Sequence, residues 1–156
     1  MIVRVHRNYK FPDFYRQSRG NKGIWKDIQF TTDPIEKCDY FIALNPPNQP
    51  ISVNVPKGNK WLFLQEPPVP EYQWHCQSFK YFDQVFGFWN DAKFQNIRST
   101  QTCLPWHIHK SYDELVNLQL EKKEDHISWI TSNQNTRLGH QAVSYTHLTL
   151  PTTPYV

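Results

Sequence analysis

Hydrophobic residues along the chain fall into short clusters separated by polar, proline-rich stretches, and those clusters set the expected elements. Ile2-Val-Arg-Val-His6 is a β-prone run, and the polar, glycine-containing and aromatic stretch 8–23 after it suits a loop or short helix. Ile28-Gln-Phe-Thr31 alternates as a strand does and is followed by Asp33-Pro34, a helix or turn opening. Cys38-Asp-Tyr-Phe-Ile-Ala-Leu44 runs apolar into Asn45-Pro46-Pro47, and Asn59-Lys-Trp-Leu-Phe-Leu64 runs into Gln65-Glu66-Pro67-Pro68. Both read as buried strands that finish on proline-stiffened polar loops. Tyr72, Cys76, Phe79 and Phe82 recur at steps of three and four behind Pro70, which predicts a helix over 70–82. Asp83-Gln-Val-Phe-Gly-Phe-Trp89 is the next strand. Ser111-Tyr-Asp-Glu114 has the capping-box spacing, in which the Ser hydroxyl accepts from the third amide and Glu114 reaches back, so a helix is expected from 112 to about 120. His126-Ile-Ser-Trp-Ile-Thr131 is one more expected strand, ending in Ser132-Asn133.

Strands alternating with helices predict an α/β layer with a largely parallel, Rossmann-like sheet. In open sheets of that kind ligands bind outside the carboxyl ends of the strands. The loops at 45–48, 65–68 and 131–135 are therefore where chemistry is expected. The chain has no glycine-rich dinucleotide fingerprint and no phosphate-binding P-loop, which moves nicotinamide enzymes and P-loop hydrolases down the order.

Composition changes this picture in three places. At 156 residues there is about one domain, and with 38% hydrophobic and 15% aromatic residues much of its core volume must come from rings. No stretch approaches the roughly 20 apolar residues of a membrane span, and charges occupy the start where an export signal needs its apolar region. The chain thus reads as cytoplasmic, with a peripheral place at the inner membrane face left open. The net charge of +3 is spread among acids, so nucleic acid is not an expected partner, while phosphate-bearing small molecules stay open. Cys38, Cys76 and Cys103 are an odd number at irregular spacing, as expected of buried reduced thiols rather than a disulfide framework or a zinc pair.

The stretch 143–156 has no charge and no helical period. Residues 143–152 resemble the translation of a common transposase-based sequencing adapter, so 143–156 is expected to be an artefactual tail, with natural sequence ending near Ala142.

Gly23-Ile-Trp-Lys-Asp-Ile-Gln-Phe-Thr, Cys38-Asp-Tyr-Phe-Ile-Ala-Leu-Asn, Leu64-Gln-Glu-Pro-Pro, Phe79-Lys-Tyr-Phe-Asp-Gln-Val-Phe, Leu104-Pro-Trp-His, Lys110-Ser-Tyr-Asp-Glu-Leu and Ile130-Thr-Ser-Asn-Gln, with Gly139-His140, resemble in that order segments of glycosyltransferase family ten, the bacterial α-1,3/4-fucosyltransferases. The resemblance implies a two-domain GT-B enzyme that transfers fucose from GDP-fucose to a hydroxyl of an acceptor glycan with inversion and without an essential metal or other cofactor. It implies that 1–125 is an acceptor-side Rossmann-like domain and that 126–142 begins the donor domain. Nucleotide sugar and acceptor glycan are the implied partners, and the oligomeric state is left open.

An inverting transfer needs a base for the acceptor proton, and Glu66, at a strand end and followed by two prolines, is suitably placed. The resemblance puts the family's proposed base at the same position. A helix cap or a lysine partner is the plainer reading of Glu66. Ser132 and Asn133 are candidates for donor contact or plain turn residues. Asn45, Trp74, Trp106 and His107 are candidates for acceptor contact, although a chain so rich in rings favours core roles for Trp74, Trp89 and Trp106. His75, His107 and His109 lack the carboxylate or thiol company of a metal site, so no metal site is expected. Outside transferases, a non-catalytic carbohydrate-binding or capsule-assembly module is the main alternative; within them, a transferase using another nucleotide sugar is.

Overall fold

The structure is a computed structural model that describes residues 1–89, 93–103 and 109–119, all within one compact unit, Met1–Gln119. Seven strands, β1 (Ile2–Arg7), β2 (Ile24–Trp25), β3 (Ile28–Thr31), β4 (Tyr40–Leu44), β5 (Lys60–Phe63), β6 (Gln84–Gly87) and β7 (Ile97–Ser99), precede one short helix, α1 (Tyr112–Val116). They form one mixed α/β sheet in the order β2-β3-β1-β4-β5-β6-β7. Every pairing is parallel except β2 with β3, a hairpin closed by Lys26 and Asp27. The Rossmann-like expectation holds at this level of sheet direction and order.

Alternation along the strands divides the core between the two sheet faces. Phe41 and Ala43 of β4, then Leu62 with Leu64 just past β5, and Val85 of β6 point to one face. There they meet Phe79 and Trp89. Val3, Val5 and Leu44 point to the other, against Phe14, Phe30, Ile42 and Phe63. Rings also tie neighbouring strands on that second face, with Trp61 and Phe86 centroids at 5.4 Å, and Phe63 stacked on Phe86 at 4.6 Å. Such cross-strand ring pairs add about 0.5–1.5 kcal/mol each beyond buried area. Gly87 is required by packing, since a Cβ there would stand 2.9 Å from Leu64 Cβ.

The connections differ from the expected alternation with helices. Two three-residue 3-10 turns, Tyr15–Gln17 and Arg19–Asn21, follow β1, and the predicted helix over 70–82 is a 3-10 segment, Pro70–Tyr81. Its residues explain the difference: Tyr, Trp, His, Cys, Ser and Phe lose rotamer freedom in an α-helix or compete for its backbone bonds, and no Ala or Leu offsets them. A three-residue turn places Cys76, Phe79 and Phe82 in one row, and that row packs on the first sheet face. The capping box at Ser111 forms as expected, with Ser111 Oγ accepting from Glu114 N at 3.3 Å and Glu114 Oε2 from Ser111 N at 2.6 Å. Its helix ends early, at Val116, and Asp113 Oδ2 accepts from Gly20 N at 2.6 Å.

None of the three thiols forms a disulfide, but only Cys38 is buried; Cys76 is half-buried at the edge of the same core, and Cys103 is exposed. No helix among the described residues is long and apolar enough to cross a membrane. The strand expected over 126–131, the donor-domain start at 126–142 and the tail at 143–156 lie outside the described residues.

Candidate functional site at the switch point of the sheet

After β1 the chain crosses to β3 on one side, and the next parallel strand, β4, returns to the other side of β1. The connections leaving β1 and β4 run on to opposite sides of β1, and in open α/β sheets the crevice for a ligand lies at the carboxyl ends of such strands. Arg7, Asn8 and Tyr9 enter it from β1, Asn45 to Asn48 from β4, and Gln65 and Glu66 from the adjoining β5.

These three loops are sewn together by amide groups. Asn8 Nδ2 donates to Pro46 O at 2.9 Å, while Asn8 Oδ1 accepts from Asn48 N at 3.4 Å. Asn45 takes a left-handed backbone, φ 64°, which Asn tolerates better than most residues. Its Oδ1 then accepts from Gln65 N at 2.8 Å, and its own N–H donates to Phe63 O at 2.8 Å. Gln65 Nε2 donates to Tyr9 Oη at 2.9 Å and to Cys103 O at 2.8 Å. Burial pushes the Tyr9 hydroxyl above its ordinary value, against smaller opposing effects of the Gln65 bond and the Arg7 charge. The Arg7 guanidinium lies 5.7 Å from the Tyr9 ring centroid and 5.9 Å from that of Phe14, and it donates to Pro12 O. Each hydrogen bond contributes about 1 kcal/mol, and together they fix the backbone that carries Glu66.

Glu66 is half-buried, and its carboxylate has no hydrogen-bond or ion-pair partner among the described residues. The cap position of the following 3-10 segment is Val69, which has no side-chain cap bond, so Glu66 does not cap it. Across from it electrostatically is His75, only 2% exposed, whose Nδ1 has no partner. Trp74 packs edge-on against that imidazole at 4.3 Å, and Tyr72 lies tilted to it at 5.5 Å. Burial lowers the His75 pKa, and the Glu66 charge works in the opposite direction.

This has a consequence for stability. Because the folded protein binds the His75 proton less readily than the unfolded chain, stability is fully present above pH about 6.5 and is lost as pH falls below it. Burial also lowers the His6 pKa, which acts on stability in the same direction. The melting temperature is expected to fall through mildly acidic pH, and to fall less in His75→Gln. Parallel profiles for the two proteins would exclude the His75 imidazole as the source.

Of the residues singled out in sequence, Glu66 and Asn45 meet in this crevice. Asn45 is half committed, its carboxamide oxygen holding Gln65. Trp74 is 48% exposed and does not take the core role, whereas Trp89 is buried against Phe79. Trp106, His107, Ser132 and Asn133 lie outside the described residues. Among the described residues no group of three His, Cys, Asp or Glu side chains is placed to hold a metal. Asn8 and Tyr9 join the site unannounced by any motif, since only the strand order brings 7–9 beside 45–48 and 65–66; Gln65 lay in an expected strand-end loop without a role of its own, and His75 enters as a buried imidazole rather than as a metal ligand. Against this geometry, comparison with protein-family models, curated proteins and solved structures finds no match to the chain.

Proposed function

We propose that the chain is the acceptor-side part of an inverting glycosyltransferase that moves fucose from GDP-fucose to a glycan hydroxyl. The observation that carries this reading is the Glu66 carboxylate, half-buried at the carboxyl end of β5 beside the switch point and without a hydrogen-bond or ion-pair partner among the described residues. In the reaction the acceptor oxygen forms its bond to the anomeric carbon as the bond to GDP breaks. GDP leaves with the electron pair, and Glu66 takes the acceptor proton. The exposed Trp74 ring offers a stacking face for an acceptor sugar. Ser132 and Asn133 would open the donor domain of this GT-B arrangement, with Trp106 and His107 on the acceptor side. A cytoplasmic enzyme meeting a nucleotide sugar at the inner membrane face fits this reading.

The test is a glycan array probed with and without GDP-fucose, using the chain extended through the rest of its reading frame. Fucose incorporation that requires the donor supports the proposal. Glycan binding unaffected by the donor, with no incorporation, replaces it with a non-catalytic carbohydrate-binding module, the reading that the exposed rings also favour.

A further inference from the structure

A cavity of about 440 Å³ lies apart from Glu66, between the loop after β4 and the end of the 3-10 segment. That volume is within the range of small-molecule sites. Its apolar surface comes from Pro47, Pro50, Ile51 and Val53 on one side, and on the other from Tyr81 and from Phe82, which stacks on Phe41 with centroids 6.4 Å apart and planes at 13°. Tyr81 is 63% exposed, and the Lys80 ammonium 5.0 Å from its centroid helps hold the ring in place. Its polar surface comes from the amides of Asn48 and Gln49, the Ser78 hydroxyl and the Lys60 ammonium. None of these four side chains, nor the Tyr81 hydroxyl, has a hydrogen-bond partner among the described residues, so their bonding capacity is left to solvent or to a ligand.

Rings beside uncommitted neutral donors and acceptors match the two sides of a sugar: a C–H face that packs on an aromatic ring, and a rim of hydroxyls that pair with amides. With one ammonium and no carboxylate in the lining, the cavity can take an acid group but would leave the several charges of a nucleotide diphosphate mostly unpaired. Asn48 also joins the cavity to the crevice, through its N–H bond to Asn8 Oδ1. We infer that this cavity is a saccharide subsite, binding one neutral or singly acidic sugar unit of a glycan at a distance from the reacting hydroxyl. Its role as an acceptor subsite rests on the proposed transferase reading; its ligand class rests on the cavity alone.

Titration of the full 156-residue chain with galactose, N-acetylglucosamine and glucuronic acid, followed by saturation-transfer NMR and calorimetry, tests it. At least one sugar is expected to bind, with Kd raised about tenfold in Tyr81→Ala and more modestly in Gln49→Ala. If glucuronic acid is the preferred ligand, Lys60→Met should weaken it alone; if a neutral sugar is, Lys60→Met should leave it unchanged. Tyr81 is exposed, so an unchanged melting temperature separates lost binding from lost folding. Absence of binding by all three sugars, or binding unchanged in Tyr81→Ala, overturns the inference. The two proposals fail separately. Sugar binding lost in Tyr81→Ala without donor-dependent transfer by the extended protein keeps the subsite and removes the transferase. Transfer with no effect of Tyr81→Ala on binding or KM does the reverse.

Discussion

Glu66→Gln in the proposed transferase, extended through its reading frame, is expected to lower turnover by a factor on the order of 10² to 10⁴ while acceptor affinity changes little. Glutamine keeps the size and the hydrogen-bonding reach of glutamate but cannot accept the hydroxyl proton. Because the carboxylate has no hydrogen-bond or ion-pair partner among the described residues, and only a modest electrostatic effect on His75, its replacement breaks no bond of the fold. The melting temperature should therefore stay near that of the parent. The amides that position Glu66 act on Gln65 and are untouched by the change. Turnover within a few-fold of the parent would remove Glu66 from the mechanism, and a large loss of stability would show that it has a structural partner after all.

Phe79→Ala should be the most destabilising simple truncation in the described unit. Its side chain is 0% exposed and fills the space between Trp89, at 5.6 Å, and Phe94, at 5.0 Å, both edge-on. Asn96 Nδ2 meanwhile donates to Phe79 O at 3.0 Å and to Phe82 O at 2.9 Å, which pins the backbone and hinders collapse around a void. A phenylalanine removed from a site that cannot close costs about 3–5 kcal/mol, a drop in melting temperature on the order of 10–20 °C. Phe79→Leu should recover at least half of the loss. Thermal or urea unfolding of both variants decides the matter: a cost below about 1 kcal/mol for Phe79→Ala would mean that the 3-10 segment does not seal the first sheet face.

How far sequence reading reached depends on what each element had to bury. β4, β5 and β6 were legible because strands covered on both faces carry nearly continuous apolar runs, and β1 and β3 because β-prone residues alternate with polar ones in them. β2 and β7 were not: Ile24-Trp25 is two exposed residues, and Ile97-Arg98-Ser99 has one hydrophobic position, so neither has a period to read. The three-and-four spacing of Tyr72, Cys76, Phe79 and Phe82 located the cover of the first face. It could not tell a three-residue turn from a 3.6-residue one over so short a run. In the site, Glu66 and Asn45 stood out as polar residues directly after apolar runs. Asn8, Tyr9 and His75 did not, because their roles come from neighbours more than 30, 50 or 8 positions away in sequence, set by strand order or by burial.

The switch point also bears on synthesis. β1 is the earliest strand in the sequence and stands inside the sheet, with β3 on one flank and β4 on the other. As the chain is made, at about 5–20 residues per second, Val3 and Val5 must wait for residues as late as Leu44 before their face is covered. Parallel pairing across such separations forms slowly, since the intervening loop must be closed before any ladder bond is made. Among the described strands β1 is thus exposed for the time that tens of further residues take to be made, and for that interval it is a segment that a ribosome-associated chaperone would meet.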